Sequence, residues 1–270
     1  MTILIKHTLI GFALVAGLAQ AAPPAGQNAL AGAQVRVDVG GRKLNLYCTG
    51  KGAPTVLFEA DAGRAGWDWS AVLPDIAQRT RACVYDRAGF GASDPIIRAA
   101  NVANAGKDLN FLIKNAHLDG PFVLVGAGYG AMVAQHVALR SRGVQVAGLV
   151  LVQPMREDAL PADRAQQLEA VLACLASVEQ GKPAPNCGYP DTPLNPEVGP
   201  ALAAAQAAQA GKLTYWRARA SELDSLEQSA SQLRAARKPF GEMPVVEVQQ
   251  SDPAAIVAAI VKVLEQQVTR

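Results

Sequence analysis

The sequence predicts an α/β protein, a mostly parallel sheet covered by helices on both faces, and three observations carry that prediction. Apolar runs of strand length recur between loop residues, and stretches long enough for crossover helices separate them. Ahead of these runs, two alternating segments flank a Gly-Gly pair, the signature of an antiparallel hairpin.

The elements follow in order. Gln34 to Val39 alternates polar and apolar, Gly40-Gly41 turns, and Lys43 to Cys48 alternates again. The buried strands are then Thr55 to Phe58, Ala82 to Tyr85, Phe122 to Val125 and Val146 to Val152, with helices expected over Trp67 to Arg79, Ala99 to Ala116 and Gly130 to Arg142. From Met155 to Ala236 the chain becomes Ala- and Gln-rich and helical, broken by the Pro-rich stretch Lys182 to Pro200, which cannot form one helix. Val245 to Val248 returns as a short strand. Pro253 to Gln267 is helical, with Pro253 suited to the first turn and an apolar face running through Ile256, Ile260, Val263 and Leu264. The expected organisation is a leader at 1–21, a core at 22–154, a helical cap insertion at 155–240, and a core return at 241–270.

Of the 270 residues 50% are hydrophobic and 18% charged, enough apolar material for a sizeable core. A net charge of +2 gives no reason to expect nucleic acid as a partner. Lys6, the apolar run Leu9 to Leu18 and the small-x-small pattern Ala19-Gln20-Ala21 read as a signal peptide cut after Ala21. No later run has the length of a membrane span, so the mature chain is expected to be exported, periplasmic or secreted, without a transmembrane anchor. An oxidising compartment favours disulfides. Four cysteines permit three pairings, and their positions favour Cys48 with Cys83 and Cys174 with Cys187. No CxxC pair and only three histidines, His7, His117 and His136, argue against zinc, and no metal is expected.

The motifs carry a resemblance. Asn45 to Gly50, Pro54 to Ala60, Trp67 and Tyr85-Asp-Arg-Ala-Gly-Phe-Gly-Ala-Ser-Asp94, followed by Phe122-Val-Leu-Val-Gly-Ala-Gly-Tyr-Gly130, resemble an α/β hydrolase of the exported serine-esterase type. The resemblance runs from about Gly41 to Pro154 and returns at the C-terminal helix. It implies a strand, a nucleophile elbow and a helix at Phe122 onward, and a cap over the sheet's C-terminal edge.

An active member needs a Ser at the tip of G-x-S-x-G, a His to take its proton and a carboxylate to orient that His. Here the elbow is Gly126-Ala127-Gly128-Tyr129-Gly130, so Gly128 stands where the nucleophile belongs. The family's late His has no counterpart after His136, and the segment from Val245 to Pro253 is shortened. Asp252 is the candidate acid remnant, although a helix N-cap ahead of Pro253 accounts for it more simply. Gln153 stands where the resemblance suggests Asp. The oxyanion loop carries Asp61 and Ala62 where the family usually places Gly; a carboxylate 4 Å from a developing oxyanion repels it by about 4 kcal/mol at an effective dielectric of 20. The implied protein is a pseudoenzyme that keeps the fold and binds a small apolar or ester-like ligand, or is vestigial. The alternative is an active hydrolase with displaced groups, with Ser70, Ser93 or Asp61 as nucleophile. Tyr129, Tyr215 and Trp216 are candidates for the pocket lining, with core packing as their simpler role.

Gly126-x-Gly128-x-x-Ala131 also matches a dinucleotide fingerprint. Four strands precede it rather than none, and no acid ends the next strand near Gln153, so no cofactor is expected.

Overall fold

The computed structural model describes residues 27–190, 194 and 197–268, which leaves the expected signal segment outside the described residues. Among the described residues seven strands form one sheet: β1 (Val35–Asp38), β2 (Lys43–Thr49), β3 (Thr55–Glu59), β4 (Ala82–Tyr85), β5 (Phe122–Ala127), β6 (Val146–Val152) and β7 (Val245–Val248). Their order is β1-β2-β4-β3-β5-β6-β7. β1 and β2 form the antiparallel hairpin, β2 runs antiparallel to β4, and every pairing from β4 to β7 is parallel.

Burial on both faces explains why the central strands read as continuous apolar runs rather than alternating ones: β3, β4 and β5 are buried at every residue. At the edge, β7 is only half-buried and keeps Glu247 exposed.

The crossover helices lie in the expected stretches, with one correction. The stretch Trp67 to Arg79, expected as one helix, is a 3-10 turn at Gly66–Trp69 followed by a single short helix at Leu73–Ala77. Pro74 lacks an N–H to continue a helix from Trp67 but fits the first turn of a new one. A further turn of helix, α1 (Gln27–Leu30), precedes the sheet, and the short Leu73–Ala77 helix is α2.

α3 (Val102–Asn115) and α4 (Tyr129–Arg140) pack against each other on one face of the sheet, and α9 (Pro253–Val268) covers the other. Between β6 and β7 lie α5 (Arg164–Glu179), α6 (Pro200–Ala210), α7 (Leu213–Asp224) and α8 (Leu226–Ala236). α8 returns to the core and caps α3. The free N–H groups of Val102 and Ala103 donate to Ser229 Oγ and Gln232 Oε1 at 3.2 and 3.1 Å, while Asn101 supplies the N-cap to Asn104 at 3.0 Å.

Both disulfides join the expected partners. Cys48 and Cys83 stand directly opposite each other on β2 and β4, and Cys174 on α5 is tied to Cys187 in the Pro-rich connection. Among the described residues no helix is long and apolar enough to cross a membrane.

Candidate functional site

The strand-to-helix turn after β5 is a sharp elbow. Gly128 at its tip adopts φ 49° and ψ −115°, a backbone that costs any residue with a Cβ about 1–3 kcal/mol. The flanking glycines permit the close approach that sharpens the turn. A Cβ on Gly126 would lie 2.5 Å from Gly130 O, and one on Gly130 would lie 2.4 Å from Ala60 O.

Asp61 occupies the space above Gly128. A Cβ built on Gly128 would meet Asp61 Oδ1 at 1.9 Å and its Cγ at 2.2 Å. The same Oδ1 accepts the backbone N–H of Tyr129 at 2.7 Å and that of Ala62 at 2.6 Å. These two amides, one following the elbow tip and one from the loop after β3, are placed as an oxyanion hole. Asp61 therefore turns inward, and its carboxylate is the anion that the two N–H groups hold. Charge-assisted bonds of this kind contribute about 1.5–3 kcal/mol each.

Beneath the loop lies a buried ionic clamp. Arg87 donates from Nη1 to Ala60 O at 2.6 Å, from Nη2 to Asp61 O at 2.8 Å and from Nε to Glu222 Oε1 at 2.8 Å. The other oxygen of Glu222, on α7, accepts Gly63 N–H at 2.7 Å, so α7 and the sheet hold the loop together. Glu59 completes the clamp, 3.4 Å from Arg87 Nη1 and hydrogen-bonded by the Tyr85 hydroxyl. Burial pushes the Glu59 carboxyl up to about 7 against the opposing pull of Arg87 and the Tyr85 hydroxyl. Glu222 is also raised by burial, again against Arg87. One guanidinium cannot neutralise two desolvated carboxylates, so this pair resists double ionisation. Glu59 and Arg87 lie inside the motifs quoted above, but nothing local marks Glu222 as their partner.

The remaining expected residues are scattered. His117 is exposed in the turn after α3, and His136 is half-buried on α4 beside Gly106, its pKa lowered by burial and by Arg140. His7 lies outside the described residues. Asp252 Oδ2 accepts Ala255 N–H at 2.8 Å, which makes it the N-cap of α9. Ser93 Oγ donates to Asp86 O at 2.6 Å and accepts Asn45 N–H at 2.8 Å, a loop brace. Ser70 lies buried beside a groove lined by Leu30, Tyr47 and Leu73, away from Gly128. Tyr129, Tyr215 and Trp216 are fully buried core residues. Tyr129 and Trp216 donate to Ala100 O and Ala210 O at 2.9 and 2.7 Å, and Tyr215 packs edge-on against Phe90.

The cleft over the elbow has a volume of about 80 Å³ and is lined by Asp61, Arg64, Gly128, Gln153, Leu194 and Ser251 among others. Gln153, held at φ 41° after β6, accepts Ser251 Oγ–H at 2.6 Å, so an amide–hydroxyl pair stands where an acid was expected from the resemblance. Among the described lining residues there is no imidazole.

The sheet order, the elbow after β5 and the helical insertion after β6 form one recognisable arrangement, and the family profile described as alpha/beta hydrolase matches residues 52–266. The chain belongs to the alpha/beta hydrolase family. Among solved structures this chain is similar to haloalkane dehalogenase DbeA from Bradyrhizobium elkani USDA94, at 17% identity and TM-score 0.61, covering 87% of this chain and 99% of that one. It is also similar to epoxide hydrolase CorEH, at 16% identity and TM-score 0.60 over 87% and 98% of the two chains. A thermophilic esterase from Thermogutta terrifontis matches at 19% identity and TM-score 0.54 over 87% and 99%. These identities establish the fold alone. Uncharacterized protein YqjL of Bacillus subtilis is 29% identical over 109 residues, 40% of this chain and 43% of that protein. An uncharacterized vacuolar membrane protein of Saccharomyces cerevisiae is 30% identical over 122 residues, 44% of this chain and 19% of its own length. The chain thus spans less than half the length of these two relatives.

Two predictions follow from this geometry. Gly128→Ser is expected to destabilise the fold by on the order of 3 kcal/mol, because the new Cβ collides with Asp61 and is strained at its φ. Asp61→Gly removes the collision, so urea denaturation of the two single variants and the double variant should give a favourable coupling of roughly 1–3 kcal/mol. Strict additivity would contradict the seating of Asp61. The second concerns pH. A carboxyl whose folded pKa is raised stabilises the fold fully below its unfolded value and loses that contribution as pH rises through the folded one. Stability should therefore fall between pH of about 4.5 and about 7 from Glu59, and Glu59→Gln should flatten that slope in urea titrations; an unchanged slope would contradict the assignment.

Proposed function

We propose that this alpha/beta hydrolase binds a small molecule without cleaving it. The observation that carries the reading is the Asp61 carboxylate, which fills the nucleophile position above Gly128 while accepting both N–H groups of the oxyanion hole. An ester carbonyl needs those same two donors, and a developing alkoxide would meet a resident negative charge. Losing one essential member of a triad already costs on the order of a millionfold in turnover. Here the elbow tip has no hydroxyl, and among the described lining residues no imidazole faces it.

The ligand expected in the cleft is small, with an apolar body against Val152 and Leu194 and a hydroxyl or amine donor turned to Asp61. This revises the ester-like half of the expectation drawn from the resemblance. The reading includes export: two disulfides and the Lys6 to Ala21 pattern support an oxidising, non-cytosolic location.

A second reading draws on the same carboxylate. Oδ1 is held by two amides, so Oδ2 could attack a saturated carbon, releasing the leaving group with its electron pair and forming an ester at Asp61. With no imidazole among the described lining residues to activate water, that ester would persist.

One experiment separates the readings. The mature protein is incubated in parallel with a fluorophosphonate, a terminal epoxide and a primary alkyl bromide, and analysed by intact and peptide mass spectrometry. Binding without cleavage predicts no stoichiometric adduct from any of them. An alkyl ester on Asp61, absent in Asp61→Asn, establishes the second reading, and stoichiometric labelling of a serine overturns both.

A further inference from the structure

The cleft over the elbow is built from two parts of the chain. Its floor, with Asp61, Gly128 and Val152, belongs to the sheet and the first residues of the loop after β3, whereas Leu194 on its outer wall lies in the connection between α5 and α6. Arg64, the other outer residue, stands farther along the loop. Arg87 and Glu222 fix the start of that loop through Ala60 O, Asp61 O and Gly63 N–H. The part that follows is held by a different element.

Tyr189, in the connection between α5 and α6, supplies the hold. Its hydroxyl accepts Ala65 N–H at 3.1 Å and Trp67 Nε1–H at 2.9 Å, and donates to Asp68 Oδ1 at 3.0 Å. A phenol has one donor and two acceptor sites, so this one is fully used. Asp68 is buried, and its other oxygen accepts Arg64 Nη1 at 3.2 Å; the same nitrogen reaches Pro190 O at 3.4 Å. The position of Arg64 against the cleft therefore depends on the segment that carries Tyr189 and Pro190.

That segment is anchored by a disulfide two residues before Tyr189, where Cys187 is bound to Cys174 on α5. Its remaining bonds are short-range: Lys182 N–H to Ser177 O at 2.9 Å, Ala184 N–H to Ser177 Oγ at 3.3 Å and Cys187 N–H to Ala184 O at 2.9 Å. Pro183, Pro185, Asn186 and Gly188 are exposed, so opening this surface connection alone uncovers the sulfurs. The other disulfide is better protected. Attack at Cys48 would expel a Cys83 thiolate buried within the sheet, and attack at Cys83 needs β2 parted from β4.

We infer that the Cys174–Cys187 disulfide is a redox-sensitive tether for the outer wall of the cleft, acting through Tyr189 as a positioning residue. The inference rests on the reading of this cleft as a ligand site, and it assigns the regulation of that site. The reductant is a dithiol. Its thiolate attacks Cys187 Sγ, the S–S bond breaks, and Cys174 leaves as a thiolate that takes up a proton. The second thiol then displaces Cys187, which is protonated in turn, and the reductant departs with its own sulfurs joined; two electrons and two protons have passed to the protein. Without its anchor the connection is held near the loop by the Tyr189 contacts alone, and the open population of the latch rises by on the order of tenfold or more.

The test compares proton–nitrogen correlation spectra of the isotope-labelled mature protein before and after dithiothreitol, with alkylation and peptide mass spectrometry to identify the freed cysteines. Cys174 and Cys187 should be alkylated while Cys48 and Cys83 stay paired. The Trp67 indole N–H should shift and exchange with solvent roughly tenfold faster or more, while the Trp216 indole N–H, bonded to Ala210 O, and the Tyr129 and Ala62 amides keep their positions. Tyr189→Phe should move the Trp67 indole with the disulfide intact, and reduction should then add little. The double variant Cys174→Ala/Cys187→Ala should reproduce the reduced spectrum without reductant, and Tyr189→Phe keeps the test decisive should the double variant fail to fold. A Trp67 indole unmoved by reduction overturns the tether, as does earlier release of Cys48 and Cys83, or a joint change of Trp67 and Trp216 that marks general unfolding. The proposed function fails separately, by adducts in the mass-spectrometric experiment above, whatever these spectra show.

Discussion

Two backbone amides and one carboxylate organise the elbow of this molecule. In a hydrolase fold the elbow and the loop after β3 bring the N–H groups of Tyr129 and Ala62 to one point, and the strained turn holds them there before any ligand arrives. Such convergent donors favour a negative charge whatever its source. Here the charge comes from Asp61, one residue before the second donor, and it is admitted only because Gly128 has no Cβ. The bare backbone at Gly128 and the seating of the Asp61 carboxylate are therefore one structural fact seen from two sides. Neither residue could be restored to the family pattern without disturbing the other.

The clamp below extends this constraint through the molecule. Arg87 takes the carbonyls of Ala60 and Asp61, and Glu222 takes the Gly63 amide, so the loop bearing Asp61 is fixed by a strand-end residue and by the cap at once. A guanidinium shared between two buried carboxylates holds its geometry well, but it is costly to ionise completely. That cost appears as the raised Glu59 and Glu222 carboxyls. The insertion between β6 and β7 is thus bound to the loop that carries Asp61, and α8 is bound into the core by capping α3.

The fold was largely legible in the sequence because its signals are local. Continuous apolar runs mark strands buried on both faces, the Gly-Gly turn marks the hairpin, and the Pro-rich break between Lys182 and Pro200 marks the gap between α5 and α6. Trp67 to Arg79 has the length of a crossover helix, but the missing N–H of Pro74 divides it into a 3-10 turn and a short helix. The short α1 was not anticipated at all. For the site, the absent hydroxyl at Gly128 and the missing late imidazole could be read directly. The direction of the Asp61 side chain could not, because it depends on a contact with an amide 68 residues away. Glu222 was beyond reach for the same reason: its partner Gly63 is 159 residues distant, and no periodicity or motif links them.

The central claim is that the Asp61 carboxylate is seated on the Tyr129 and Ala62 amides in solution. Proton–nitrogen correlation spectra of the labelled mature protein, compared with those of Asp61→Ala, measure this directly. The account predicts that both amide protons resonate far downfield in the wild type, exchange slowly with solvent, and move upfield together in the variant. Ordinary shifts and fast exchange at both amides in the wild type, unchanged on removing the carboxylate, would contradict it.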